Sequence, residues 1–121
     1  MPIKNLTTVT RHLILCNGGT CSKKGAEAVT QAIRDEIARV GADDFIHSTK
    51  TLCNGRCVDS CVVAVYPEGI WYRDVRVEDA PKIVRQHLLA GEPVEELVSF
   101  HYDGNTFQTS EQKKTNESPK R

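Results

Sequence analysis

Four cysteines fall in two short glycine-bearing loops: Cys16-Asn17-Gly18-Gly19-Thr20-Cys21, and Cys53-Asn54-Gly55-Arg56-Cys57. Thiolates are soft, electron-rich ligands that suit iron–sulfur clusters and zinc. Within the pairs, four and three residues separate the cysteines, and zinc knots use similar spacings. Spacing alone therefore leaves both metals open. A dithiol oxidoreductase fits less well, because neither pair has the Cys-x-x-Cys spacing tied to a lowered thiol pKa. Asn17-Gly18-Gly19 and Asn54-Gly55 leave the backbone free to curl. Amide N–H groups can then point at sulfur, where they tune a cluster's potential. The fifth cysteine, Cys61, directly adjoins the apolar run Val62 to Tyr66. It is expected to be a buried apolar thiol, the common fate of a free cysteine; the other reading is an alternative ligand.

Converging four thiols requires elements that end at one edge. Each pair closes off a strand-like run: Leu13-Ile14-Leu15 before the first, Phe45-Ile46 and then Leu52 before the second. Strands are expected at 12–15 and 45–52. Between them, Ala26, Val29, Ile33, Ile37 and Val40 recur at helical steps, which predicts a helix over 22–40 with Thr20 or Ser22 as its cap and Gly41 at its end. Strand, helix, strand is a right-handed parallel unit. Val62 to Tyr66 reads as a central strand, Pro67-Glu68-Gly69 as a turn, and Ile70-Trp71-Tyr72 as the returning strand of a hairpin. A second helix is expected over 78–89, with Ala80, Ile83, Val84, His87 and Leu88 on its apolar face. Val94, Leu97, Val98 and Phe100 can add a short packed extension. The order β-α-β then β-β-α is the thioredoxin-like arrangement: an α/β fold with a four-stranded mixed sheet and helices packed on it.

The totals exclude several classes. A chain of 121 residues suggests one domain. Its 16 basic and 16 acidic residues balance, so no bulk field draws nucleic acid or an anionic membrane. No apolar run approaches a membrane span, and Met1 to Arg11 lacks the apolar stretch of a signal peptide. A cytoplasmic location follows as the expectation. There, five cysteines, an odd count, argue against a disulfide framework. Residues 1–102 are expected to fold as one domain, and 103–121, polar apart from Phe107, as a disordered tail. No nucleophile triad, supported carboxylate pair, phosphate loop or dinucleotide fingerprint is present. The chain is therefore not expected to be an enzyme.

The cysteine loops, taken with VVAVYPEGIWY over Val62 to Tyr72, Val75, Glu78-Asp79, Pro81 to Val84 and the closing Gly91 to Leu97, resemble the thioredoxin-like 2Fe–2S ferredoxins. The same stretches are similar to the ferredoxin-like peripheral subunit of respiratory NADH dehydrogenase. The resemblance covers roughly residues 10–100. It implies one 2Fe–2S cluster per chain, ligands Cys16, Cys21, Cys53 and Cys57, and single-electron transfer between redox partner proteins. It also admits a homodimer, with Trp71 and Tyr72 as an apolar contact. The alternatives are a zinc- or cluster-binding regulatory or assembly module, and an accessory subunit of a larger oxidoreductase. Lys23, Lys24 and Arg56 stand near the loops, either as solvated surface or as a docking rim for an acidic redox partner. His87 is expected to be a satisfied core residue, and His47 to face solvent.

Overall fold

In β1 (Arg11–Cys16), Leu13 and Leu15 are buried while His12 and Ile14 are half-buried. This period of two turns one face of the strand toward helices and the other away. The computed structural model describes residues 4–109. β2 (Ile46–Thr51) runs parallel to β1, pairing His12 with His47 and Cys16 with Thr51. β3 (Val63–Tyr66) lies antiparallel to β1, and β4 (Ile70–Tyr72) returns beside β3 as the expected hairpin.

The expected four strands stand side by side, but the sheet has six, in the order β2-β1-β3-β4-β5-β6. β5 (Val98–Tyr102) pairs antiparallel with β4, and β6 (Phe107–Thr109) with β5. The folded unit therefore extends past residue 102, a correction to the disordered tail expected from 103. The cause is local. Asp103 Oδ1 accepts from the N–H groups of Asn105 and Thr106 at 2.8 and 2.9 Å, which reverses the chain. Phe107 then packs on Tyr102 and edge-on to Trp71, with ring centroids 5.1 and 6.1 Å apart. The remainder of that expected tail, 110–121, lies outside the described residues.

The first helix departs from expectation too. It is broken into α1 (Gly19–Lys23) and α2 (Ala26–Arg39), because Gly25 takes φ 94°, a left-handed conformation open to glycine. No side chain caps either start; Gly18 and Gly25 occupy the cap positions. Cys21 consequently sits inside α1 rather than before a helix. Ala26, Val29, Ile33 and Ile37 of α2 are buried as the periodicity predicts. The last helix starts with a 3₁₀ turn (Val77–Asp79), continues as α3 (Ala80–Lys82) and ends in a π-helical stretch (Ile83–Leu89). It buries Ala80, Ile83, Val84, His87 and Leu88. Arg34 Nε donates to Ser48 Oγ at 2.9 Å, tying α2 to β2. Arg85 Nε reaches Glu36 at 2.9 Å, tying the last helix to α2.

One polar chain crosses the core. Val94 N–H donates to Tyr72 Oη at 2.9 Å, and Tyr72 Oη lies 2.6 Å from His87 Nδ1. His87 Nε2 lies 3.2 Å from Glu68, which also accepts from Arg11 Nε at 2.7 Å. This assigns the neutral imidazole with its proton on Nε2. Burial holds the pKa of His87 below its ordinary value. His87 is thus the satisfied core residue expected. Tyr72 is fully buried on the helix side, so the expected Trp71–Tyr72 surface is corrected. Trp71, on the opposite face, donates to Tyr66 Oη at 3.1 Å. On that face His12 and His47 stack with centroids 4.7 Å apart.

Candidate metal centre

At the end of β1 the backbone turns through Asn17 and Gly18 into α1. Asn17 N–H donates to the Thr51 carbonyl at 2.8 Å. Its side-chain amide reaches the Leu15 carbonyl and Thr30 Oγ1 at 3.2 and 3.1 Å. These bonds pin the first loop to both strands and to α2, and hold Cys16 and Cys21 with little exposure. At the end of β2, Asn54 Nδ2 donates to Thr51 Oγ1 at 2.8 Å. Arg56 Nε reaches Asp59 at 2.9 Å, and its guanidinium lies 4.9 Å from the Phe100 ring centroid. Arg56 is therefore a clamp on the second loop, joined to β5 through a cation–π contact. That role was not visible from sequence, since Phe100 is 44 positions away. Cys53 and Cys57 stand exposed on this loop.

The two loops touch at Gly18. A Cβ there would lie 2.7 Å from both Cys53 Cα and Cys53 N. Only a residue without a side chain permits this approach, and it brings Cys53 against the loop bearing Cys16 and Cys21.

The thiols stand in two pairs. Cys53 Sγ and Cys57 Sγ are 3.5 Å apart. The Cys16 and Cys21 thiols influence one another, Cys21 favouring the Cys16 thiolate and Cys16 disfavouring that of Cys21. Among the described residues, no group of three or more Cys, His, Asp or Glu side chains is gathered around a single metal-ion position. Backbone donors converge on sulfur as the glycine loops suggest. Gly55 N–H points at Cys53 Sγ at 3.3 Å. Burial by itself raises the Cys16 thiol, but hydrogen bonds from Gly18, Cys21 and Asn54 outweigh it and hold its pKa below the ordinary value. Cys21 is pushed up by burial, which the Ser60 hydroxyl and Val62 N–H only partly offset. Ser60 and Val62 carried no signal as site residues in the sequence.

Cys61 packs behind α1, against the backbone of Cys21 and Lys24. It is buried, its Sγ lies 3.6 Å from the carbonyls of Cys21 and Lys24, and burial pushes its pKa up to about 11. A neutral thiol packed behind α1 matches the expectation of a structural cysteine.

A protein of Priestia megaterium named as a 2Fe–2S ferredoxin is 42% identical over 107 residues, covering 88% of this chain and 84% of that one. The chain belongs to the 2Fe–2S ferredoxin family. A 2Fe–2S ferredoxin of Clostridium pasteurianum is 31% identical over 94 residues, covering 71% of this chain and 92% of the relative. The thioredoxin-like form of the family is shown by the solved ferredoxin of Aquifex aeolicus. It superposes with TM-score 0.74 at 34% identity, over 77% of this chain and 93% of that one. No protein-family model matches the chain. The donor set fits the group named in these relatives: soft thiols two by two, with N–H groups aimed at sulfur.

Proposed function

We propose that the chain holds one 2Fe–2S cluster through Cys16, Cys21, Cys53 and Cys57, and carries single electrons between protein partners without a catalytic site of its own. The observation that supports this reading is the contact of Gly18 with Cys53, which brings the second cysteine loop against the first. When bound, such a cluster supplies reversible one-electron chemistry. The chain's own residues do the rest. Cys16 and Cys21 present buried sulfurs, Cys53 and Cys57 exposed ones. The N–H groups of Gly18 and Val62 favour thiolate over thiol at Cys16 and Cys21, and with the Gly55 N–H at Cys53 they would tune the potential of a bound cluster. A mononuclear zinc knot asks four thiols to surround one ion at about 2.3 Å; the pairwise grouping favours the two-iron reading. A redox titration of the anaerobically purified protein tests it. The visible absorbance should bleach with uptake of one electron per chain, and a protein showing no reversible bleaching would overturn it.

Two finer readings accompany it. The unpaired thiols suit a reducing compartment, the cytoplasm. A homodimer is supported by the sheet face opposite the helices, where His12, Ile14, His47, Tyr66 and Trp71 remain half-buried. Light scattering should give twice the monomer mass, and monomer mass across a wide concentration range would refute the dimer.

A further inference from the structure

The second cysteine loop has little apolar packing to hold it. Leu52, directly before Cys53, is 80% exposed, and Val58, directly after Cys57, is 81% exposed. They bury so little area that the hydrophobic effect hardly fixes the loop. Of the three residues between Cys53 and Cys57, Asn54 turns back on Thr51 and the Leu52 carbonyl, and Gly55 has no side chain. The third is Arg56, whose side chain leaves the loop for β5. Its Nε donates to Asp59 at 2.9 Å, and its guanidinium carbon stands over the Phe100 ring, 4.9 Å from the centroid. That separation is inside the reach of about 6 Å for a cation–π contact.

Phe100 meets Arg56 because β5 is irregular. Phe100 is the register partner of Trp71, and Val98 that of Tyr72, so Ser99 is an extra residue opposite the Trp71–Tyr72 step. On a regular strand, residues two positions apart share one face. The bulge breaks that rule. Val98 is buried with Tyr72 on the helix side, whereas Phe100 lies with Trp71 on the opposite face. Ser99 is itself buried, and its hydroxyl donates to the Trp71 carbonyl at 3.0 Å, which fixes the bulge. The Asp59 carbonyl, in turn, accepts from Asp74 N–H at 2.8 Å, just past the end of β4. Asp59 therefore holds Arg56 through its carboxylate and the chain after β4 through its backbone.

We propose that Arg56 and Phe100 are positioning residues for the cluster, with the Ser99 bulge turning the ring to the face where the guanidinium rests on it. The proposal rests on the cluster reading above and adds what keeps the two exposed ligands, Cys53 and Cys57, in place. Arginine suits this task where lysine does not: its Nε–H meets the carboxylate while its planar face stays free for the ring. Neither role open to Arg56 from sequence, solvated surface or docking rim, calls for an aromatic ring beneath it.

Two measurements on the anaerobically purified protein test the assignment: the rate of cluster release to an iron chelator, read as loss of visible absorbance, and hydrogen exchange at the amides of 54–60. Phe100→Leu keeps an apolar side chain and removes the ring. It should speed release about two- to fivefold, the scale of one partly exposed cation–π contact. It should also shift the visible circular dichroism and quicken exchange in 54–60, while the amides of β1 and β3 keep wild-type protection. Phe100→Tyr retains the ring face and should keep wild-type values. Arg56→Gln should release the cluster at least as fast as Phe100→Leu, and combining the two should add nothing further. Arg56→Lys, which preserves the charge, should behave like Arg56→Gln. Wild-type release in Phe100→Leu or Arg56→Lys, additive effects in the double variant, or exchange that rises uniformly across the sheet would overturn the positioning role alone. A wild-type protein that takes up no cluster would overturn the cluster reading and this role with it.

Discussion

Gly18→Ala is the most revealing single change. Gly18 has φ −68° and ψ 179°, values open to alanine, so the substitution carries no penalty of backbone conformation. Its effect is steric. The new Cβ would sit 2.7 Å from Cys53 Cα and N and 2.9 Å from Cys53 Cβ. Ordinary contact begins at 3.4 Å, so one loop must retreat by about 0.7 Å. Overpacking of this kind costs about 1–3 kcal/mol, or roughly 4–8 °C of Tm per kcal/mol in a domain of this size. The more specific consequence falls on the metal. Ligand distances in a metal site tolerate about 0.2 Å, and the backbone that must move carries Cys53. Gly18→Ala should therefore shorten the lifetime of the bound cluster and shift its visible circular dichroism. Gly19→Ala is the control, since its Cβ meets nothing within 4 Å. It should leave the cluster intact and change stability by no more than about 1 kcal/mol, in the favourable direction expected inside a helix. A Gly18→Ala protein with wild-type Tm, cluster lifetime and dichroism would refute the claim that loop contact sets the site.

Serine at Cys16, Cys21 or Cys53 should perturb or abolish the cluster spectrum, whereas Cys61→Ala should leave it unchanged; bleaching by Cys61→Ala but not by Cys57→Ser would assign the second loop to Cys53 and Cys61 instead. Tyr72→Phe removes the partner of two fully buried groups, Val94 N–H and His87 Nδ1. At about 1–3 kcal/mol for each orphaned group, it should cost roughly 2–6 kcal/mol in denaturant melts without altering the visible spectrum, and an unchanged midpoint would show that water takes over both bonds. Glu36 is held at a pKa of about 2, first by Arg39 and then by Arg85, against an ordinary 4.5. A depressed carboxylate stabilises the fold above its unfolded pKa and loses that contribution as pH falls toward the folded one. Acid titration of stability should therefore be shallower in Glu36→Gln than in wild type between pH 4.5 and 2, and identical slopes would exclude the ion pairs as its cause.

Much of this architecture is legible in residue type and period. Val62 to Val65 form an unbroken apolar run because a central strand is buried on both faces, and Ala26, Val29, Ile33 and Ile37 step around α2 because burial on one face leaves that period in the sequence. The same reasoning, applied from Val63 across the hairpin, assigns Tyr72 to the core, because the two are register partners; reading Trp71 and Tyr72 together as one surface ignores the alternation. The break at Gly25 is hidden, since a glycine inside an amphipathic pattern is tolerated as often as it ends a helix. β5 and β6 are hidden for a different reason. Ser99, His101 and Gln108 interrupt their apolar pattern, and edge pairing is made by backbone groups that carry no side-chain signature. At the site, the cysteines announce themselves by type and spacing. The touching of their loops does not, because two backbones in contact leave only a glycine behind.

Metal and sulfide analysis of the anaerobically purified, iron-replete protein tests the central claim most directly. Two thiol pairs holding one cluster predict a red-brown protein with two iron and two acid-labile sulfide per chain, and no stoichiometric zinc. A colourless protein with one zinc per chain and no labile sulfide would contradict it.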